Sequence, residues 1–377
     1  MPLRKIFFSL CVINLKVYLS NATKQAHFLD FLTRLLYNYT TNKYKYKQKH
    51  RLGTDIQMAL SREAQKAYKK AQKQKRKERR GHWLLIQRGD GAKEVVSKIF
   101  TQLCLVILIG CIFILGSELW QSVSTKILNG NLKDLIISHI SIGDNGGELL
   151  PSAKQLLAIN EDTVGWVQID DTNIALPVVQ KKSSDGNTYY LKRAFDGSKN
   201  KAGTIFLDRR ATLNAHERSD NLILYGHNQK DKTMFGDLAK YKHDLDFYKS
   251  HPTVTFSSNY STDVYKIIAC FVTPVETWQT ADGVIFDYHN CINFENKQQY
   301  NYFIENVELR SQIVTGVDVE YGDSFLTLST CSNEFEPSRF VVIARRTRKD
   351  EDPSDDTSQA YTNKSAKEPD WNVIYHR

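Results

Sequence analysis

The chain has 377 residues, of which 41% are hydrophobic and 25% charged. That suits about two domains, or one domain with long appendages, and excludes a chain too polar to build a core. The net charge of +9 would suggest a nucleic-acid or membrane partner if it were evenly spread, but nine Lys/Arg between Lys66 and Arg80, against Glu78 alone, account for the excess. Cysteines at 11, 104, 111, 270, 291 and 331 form no CxxC or zinc-like pairing, so no metal site is implied.

Residues 1–57 read as an N-terminal extension. An apolar run over 6–19 follows Arg4 and Lys5 and resembles a signal peptide, but Lys16 interrupts it and no small-residue cleavage site follows. Met58 is the expected biological start, opening a basic leader over 58–98 with a predicted helix over 62–80. The leader has no nucleic-acid reading motif and Tyr68 is its helix's only aromatic, so nucleic acid is not an expected partner. Residues 99–116 are uncharged and mostly apolar, which predicts one short transmembrane helix with no polar face to show water. Basic residues crowd its N-terminal side and Glu118 follows it. The positive-inside rule then puts the N-terminus in the cytosol and the remainder outside. A second span over 6–19 would invert this.

A stalk is expected over 117–150, broken at 143–147, with a short helix at 151–159 opening a folded domain over 151–346. From Val164 onward short β-type runs alternate with turn signals such as DDTN and SSDGN. Eight or so such strands predict a mainly β fold, one closed or nearly closed barrel with short helices. In a long insertion between Phe271 and Asp323, Tyr300, Phe303, Ile304 and Val307 fall at helical spacing. The polar tail 347–377 reads as disordered.

The chemistry concentrates at the end of the barrel sequence. An apolar run over 324–330 ends on Cys331, a polar break follows, and Arg339 opens a second run. As the two arms of a hairpin, these runs bring Cys331 and Arg339 to one mouth of the sheet. A thiol beside a fixed positive charge is an arrangement that favours thiolate and stabilises a developing oxyanion. Any cysteine nucleophile needs an imidazole partner. His227 closes the run NLILYGH beside Gly226 and suits a cleft, whereas His216, His243, His251 and His289 read as surface residues. Ser329 lies two residues before Cys331 and so faces the same side. A Cys270–Cys291 bridge is left open.

These residues carry a resemblance. Thr327-Leu328-Ser329-Thr330-Cys331 with Arg339, and Tyr225-Gly226-His227, resemble the signature of the sortases. The likeness runs through INEDTVGWVQIDDTNIALPVVQ, TYYLKRAFDGSKNKAGTIFLDRR and MFGDLAKY, covering roughly 159–346, and the insertion helix points to class B. It implies a membrane-anchored cysteine transpeptidase of Gram-positive bacteria on an eight-stranded barrel, without cofactor. Cys331 would be the nucleophile, His227 the general acid and base, Arg339 the oxyanion and substrate stabiliser, and Ser329 and Thr330 substrate-binding residues. The implied partners are surface proteins bearing a sorting signal, NPxTN-like or LPxTG-like, and an amine from a cell-wall precursor or pilin. Alternatives are a secreted cysteine hydrolase of the wall and a non-enzymatic membrane-tethered scaffold.

Overall fold

The computed structural model describes residues 62–81, 85–86, 90–137 and 141–376, apart from 243, 333 and 356. The extension over 1–57 and the expected start at Met58 lie outside the described residues. Helix α1 (Arg62–Gly81) is the expected basic helix, built from residues of good helix propensity. Helix α2 (Ala92–Ile137) contains the expected span at 99–116 and continues well past it. Eighteen residues at helical rise reach about 27 Å, close to a bilayer's apolar thickness. No part of its most apolar window is buried by protein.

The stretch expected as a stalk is instead largely part of the folded domain. Leu132 and Ile136 of α2 are buried in a cluster with Leu156, Trp166, Tyr190 and Phe195. Buried Thr125 accepts a hydrogen bond from Asn200 Nδ2 at 2.8 Å. A lipid-facing and a core-facing apolar helix look alike in composition, so the sequence did not mark where one ends and the other begins.

After α2 come strand β1 (Gly143–Asp144) and helix α3 (Pro151–Leu157), whose proline at the first turn forfeits no hydrogen bond. Strands β2 (Thr163–Gln168) and β3 (Ala175–Val179) precede the short helix α4 (Gly186–Tyr189). Then follow β4 (Ile205–Leu207), β5 (Asn221–Tyr225) and helix α5 (Leu245–Ser250), capped by the Asp244 carboxylate. Strands β6 (Thr253–Ser258) and β7 (Ser261–Pro274) lead into the insertion, which holds α6 (Lys297–Arg310) and β8 (Ile313–Val314). Strands β9 (Phe325–Cys331) and β10 (Ser338–Arg346) complete the main sheet.

The pairing order β7-β10-β9-β5-β4-β3-β2-β6 returns to β7, closing an eight-stranded barrel, with β1 added along β7. Strand pairs β3–β4 and β5–β9 are parallel, and every residue of β3 and β4 is buried. Such strands read as continuous apolar runs rather than alternating ones. In the insertion, Asn296 caps α6 by accepting from Gln299 N, and Tyr300, Phe303, Ile304 and Val307 are buried as their spacing predicts. Cys270 is buried and Cys291 half-buried, and both are free thiols. Burial pushes each up to about 12.

The tail is ordered, contrary to its polar composition. It carries β11 (Tyr361–Thr362), paired with β8, and α7 (Trp371–Tyr375). Its first anchor is Glu351, which receives bonds from Arg345 Nη1 and Nη2 at 2.7 and 2.5 Å. Lys266 Nζ lies 2.7 Å from the same carboxylate as an ion pair, off the line of a hydrogen bond. The side chains of Arg345 and Lys266 are both fully buried. A few such anchors hold a polar segment that composition alone would leave free.

Hydrogen bonding from Arg345, opposed by burial and helped by Lys266, holds the Glu351 carboxyl well below the usual carboxylate range. Its folded value lies below its unfolded one, so the contribution is full above about pH 5 and is lost as pH falls through the folded value. Glu351→Gln is expected to cost about 2–3 kcal/mol near neutral pH, since it takes the carboxylate from buried Lys266 and leaves Arg345 only the more distant Asp318 and Asp323. It should also flatten the acid limb of the stability profile, as measured by denaturant unfolding across pH.

Candidate active site

Three strand ends meet at one mouth of the barrel because of how β9 is paired. On one side β9 runs antiparallel to β10, with Cys331 directly opposite Arg339. On the other it runs parallel to β5, with Ser329 beside Tyr225. Two residues further along each parallel strand stand Cys331 and His227. Neighbouring strands lie about 4.8 Å apart, so the register sets Cys331 against Arg339 and carries the chain after β5 toward the same mouth.

Cys331 is exposed, and Arg339 Nη1 lies 3.9 Å from its sulfur while donating to the Ser338 carbonyl at 2.9 Å. His227 Nε2 is 2.7 Å from the Leu191 carbonyl oxygen. A carbonyl can only accept, so Nε2 carries the hydrogen and Nδ1 is left for exchange chemistry. Gly226 is required for space. A Cβ there would stand 2.3 Å from Ile205 Cδ1 and 2.7 Å from Phe235 Cδ2, which would disturb the Gly226 N–H bond to the Ser329 carbonyl of β9 at 3.1 Å.

The structure qualifies two of the expected substrate-binding residues. Ser329 is on the Cys331 face but only 2% exposed, and its hydroxyl is bonded to Tyr288 OH at 2.7 Å. It forms part of the floor beneath the mouth. Thr330 points to the opposite face, is 2% exposed, and its Oγ1 has no hydrogen-bond partner. It is not brought to the open groove, because alternate strand residues face opposite sides.

Sequence reasoning missed several supports. Asn228 Nδ2 donates to the Cys331 carbonyl at 2.9 Å, tying the segment after His227 to the Cys331 backbone. Lys242 Nζ donates to the Ser332 carbonyl at 2.7 Å and pairs with Glu334 at 3.2 Å. Burial pushes that ammonium down, against the opposing effect of Glu334. Asn228's adjacency to His227 was the one signal available; Lys242 had none.

His289, expected at the surface, is half-buried and stacks with Tyr225 and Tyr288. Its Nδ1 lies 3.0 Å from the Tyr225 hydroxyl, which itself donates to Asp208 at 3.0 Å. The imidazole therefore donates to Tyr225, and burial pushes it below the usual histidine range. Asp208 is fully buried, and burial alone would raise it. Hydrogen bonds from Arg210 and Tyr225 outweigh that and hold it ionised. This network braces β5 from behind the site. His251 also departs from a surface role, stacking on Phe247 at 4.2 Å, whereas His216 is exposed and His243 lies outside the described residues.

The turn between Cys331 and Arg339 is buttressed by the tail. Phe335 packs edge-on against Trp371 at 5.5 Å. Gln279, fully buried, donates to the Pro337 carbonyl at 3.0 Å and accepts through its own carbonyl from Val275 N and Glu276 N at 2.9 Å, while its backbone carbonyl accepts from Asp370 N at 2.9 Å.

A closed eight-stranded barrel with a cysteine, an arginine and a histidine at one mouth defines a class of cysteine acyl-transfer enzyme, and comparison with known proteins places it further. The sortase domain model matches residues 167–347. Sortase B of Listeria monocytogenes is 31% identical over 230 residues, 60% of this chain and 87% of the relative. Sortase B of Staphylococcus aureus is 29% identical, covering 66% and 97%. Among solved structures, a Bacillus anthracis protein similar to sortase B superposes with a TM-score of 0.51 at 29% identity, covering 60% of this chain and 97% of that one. The chain belongs to the sortase family, in its class B, and is a cysteine transpeptidase.

Thr330→Val removes a buried, unpartnered hydroxyl at nearly constant volume, so stability is expected to hold or rise by up to about 1 kcal/mol. Denaturant unfolding measures this. Trp371→Ala is expected to leave the barrel's amide protection unchanged while residues 332–338 exchange faster, by about tenfold or more. Hydrogen exchange read by mass spectrometry distinguishes that local loosening from global unfolding.

Proposed function

We propose that Cys331 cleaves a C-terminal sorting signal of exported proteins and passes the acyl group to an amine. The observation that supports this reading is the register that pairs Cys331 with Arg339 and Ser329 with Tyr225, two residues before Cys331 and His227 on parallel paths. The Cys331 thiol passes its proton to His227 Nδ1, its sulfur attacks the carbonyl carbon of the signal's threonine, and Arg339, whose guanidinium is 3.9 Å from that sulfur, donates to the oxyanion that forms. The C–N bond then breaks as His227 protonates the departing amine through Nδ1, leaving a thioacyl enzyme. An incoming amine attacks the thioester, His227 takes its proton, and the C–S bond breaks to release the joined product and the Cys331 thiolate, to which His227 returns the proton. Arginine suits its place because its charge persists at any working pH and its donors form a fixed fork.

The apolar helix and the family fit a membrane-anchored enzyme. The basic residues before the span favour a cytosolic N-terminus with the barrel outside, where exported substrates emerge. Tethering there raises the effective concentration of enzyme at the surface. One similar solved structure is a sortase B complexed with triglycine, which recommends an oligoglycine as the test acceptor, alongside cell-wall and pilin amines.

The test incubates the full chain in lipid discs with fluorogenic signal peptides of both motif types, with and without triglycine. Product joined to the amine, absent in Cys331→Ala, is the expected outcome. Arg339→Lys is expected to lower kcat/KM by about 10²–10³ with the fold intact. Free acid as the sole product at saturating amine would indicate a hydrolase, and no cleavage of any peptide would return the scaffold reading.

A further inference from the structure

A cleft of 470 Å³ lies beside the end of the membrane helix, lined by Gln121, Tyr189, Lys192, Arg193, Lys199 and Lys201. Four of its lining groups are cations and one, Asp185, is an acid. Lys192, Lys199 and Lys201 are exposed. Arg193 is held over the Tyr189 ring at 4.5 Å, and Lys201 is 3.5 Å from the exposed Glu118, a pair too wet to neutralise the cleft.

The level of this cleft relative to the bilayer follows from α2. The apolar span ends at Gly116, and the helix continues without a break. Leu119 and Trp120 are 68% and 71% exposed, an apolar and an indole side chain standing free just beyond the span. Tryptophan concentrates at the headgroup level of bilayers. Gln121, the next residue, forms part of the cleft wall and is about 7.5 Å along the helix from Gly116. A cleft walled by Gln121 thus opens within one or two helical turns of the end of the span, close to the level of lipid phosphates.

We propose that this cleft seats the barrel on the membrane by binding the phosphates of anionic lipid headgroups. Each basic group near such a surface adds to the attraction, so the cluster draws one face of the domain down onto it. The consequence reaches the active site. Lys192 follows Leu191, whose carbonyl fixes the His227 ring, so the seated face is next to the segment that orients the imidazole.

The experiment measures amine labelling of individual lysines by mass spectrometry on the full chain. One sample is held in discs of zwitterionic lipid, another in discs with about 30% anionic lipid. Rates at Lys192, Lys199 and Lys201 are normalised to exposed Lys297 and Lys349. Labelling in the cleft is expected to slow about threefold or more on anionic discs and to recover at about 0.5 M salt, where screening is short-ranged. Lys199→Gln with Lys201→Gln is expected to abolish the remaining protection of Lys192. Equal rates on the two lipids would overturn the proposal. So would equal protection by soluble pyrophosphate on zwitterionic discs, which would make the cleft a soluble-anion site. Persistence of Lys192 protection in the double variant would overturn the cleft as the binding unit.

Discussion

The candidate site depends on the pairing of one strand. β9 is hydrogen-bonded to an antiparallel neighbour on one side and a parallel neighbour on the other. A slip of one residue against β10 would take Arg339 out of line with Cys331, and a slip against β5 would do the same for His227. Because side chains alternate with period two, such a slip would also turn the buried residues of β9 toward the wrong face. The core enforces the register: six of the seven β9 residues are buried, and only the cysteine at its end is exposed. The same burial that stabilises the barrel thus aims the thiol.

The surroundings act to hold that mouth still. Asn228 ties the histidine segment to the Cys331 carbonyl, and Lys242 grips the residue after it. Behind β5, the buried Asp208 carboxylate is satisfied by Arg210, Tyr225 and Asn187. A half-satisfied network at that depth would be costlier than an apolar one, so these partners stand or fall together. The tail reaches the turn between Cys331 and Arg339 from outside the matched family domain, adding a brace on a segment that lies between strands.

The continuity of α2 matters for a tethered enzyme. A flexible stalk would let the barrel sample many orientations. Here Leu132 and Ile136 bury the helix's end in the domain core, and Thr125 bonds to Asn200 beside it. Segment by segment, the chain from the end of the span to the barrel is packed rather than loose.

Much of this was legible in the amino-acid sequence. Apolar runs with turn signals between them predicted the barrel, uncharged length predicted the span, and the position of Cys331 before a polar break with Arg339 beyond it predicted their meeting. These are local properties: strand pattern, apolar length and hairpin spacing act over a few residues. What only the tertiary structure decided was non-local. The burial of His289, the closing of Ser329 by Tyr288, the facing-away of Thr330, the docking of α2 and the order of the tail all depend on which distant segment supplies a partner. A polar tail reads as disordered until buried Arg345 and Lys266 are seen to need Glu351. Composition records what a segment can bury or bond, and only the folded chain supplies the partner that makes it do so.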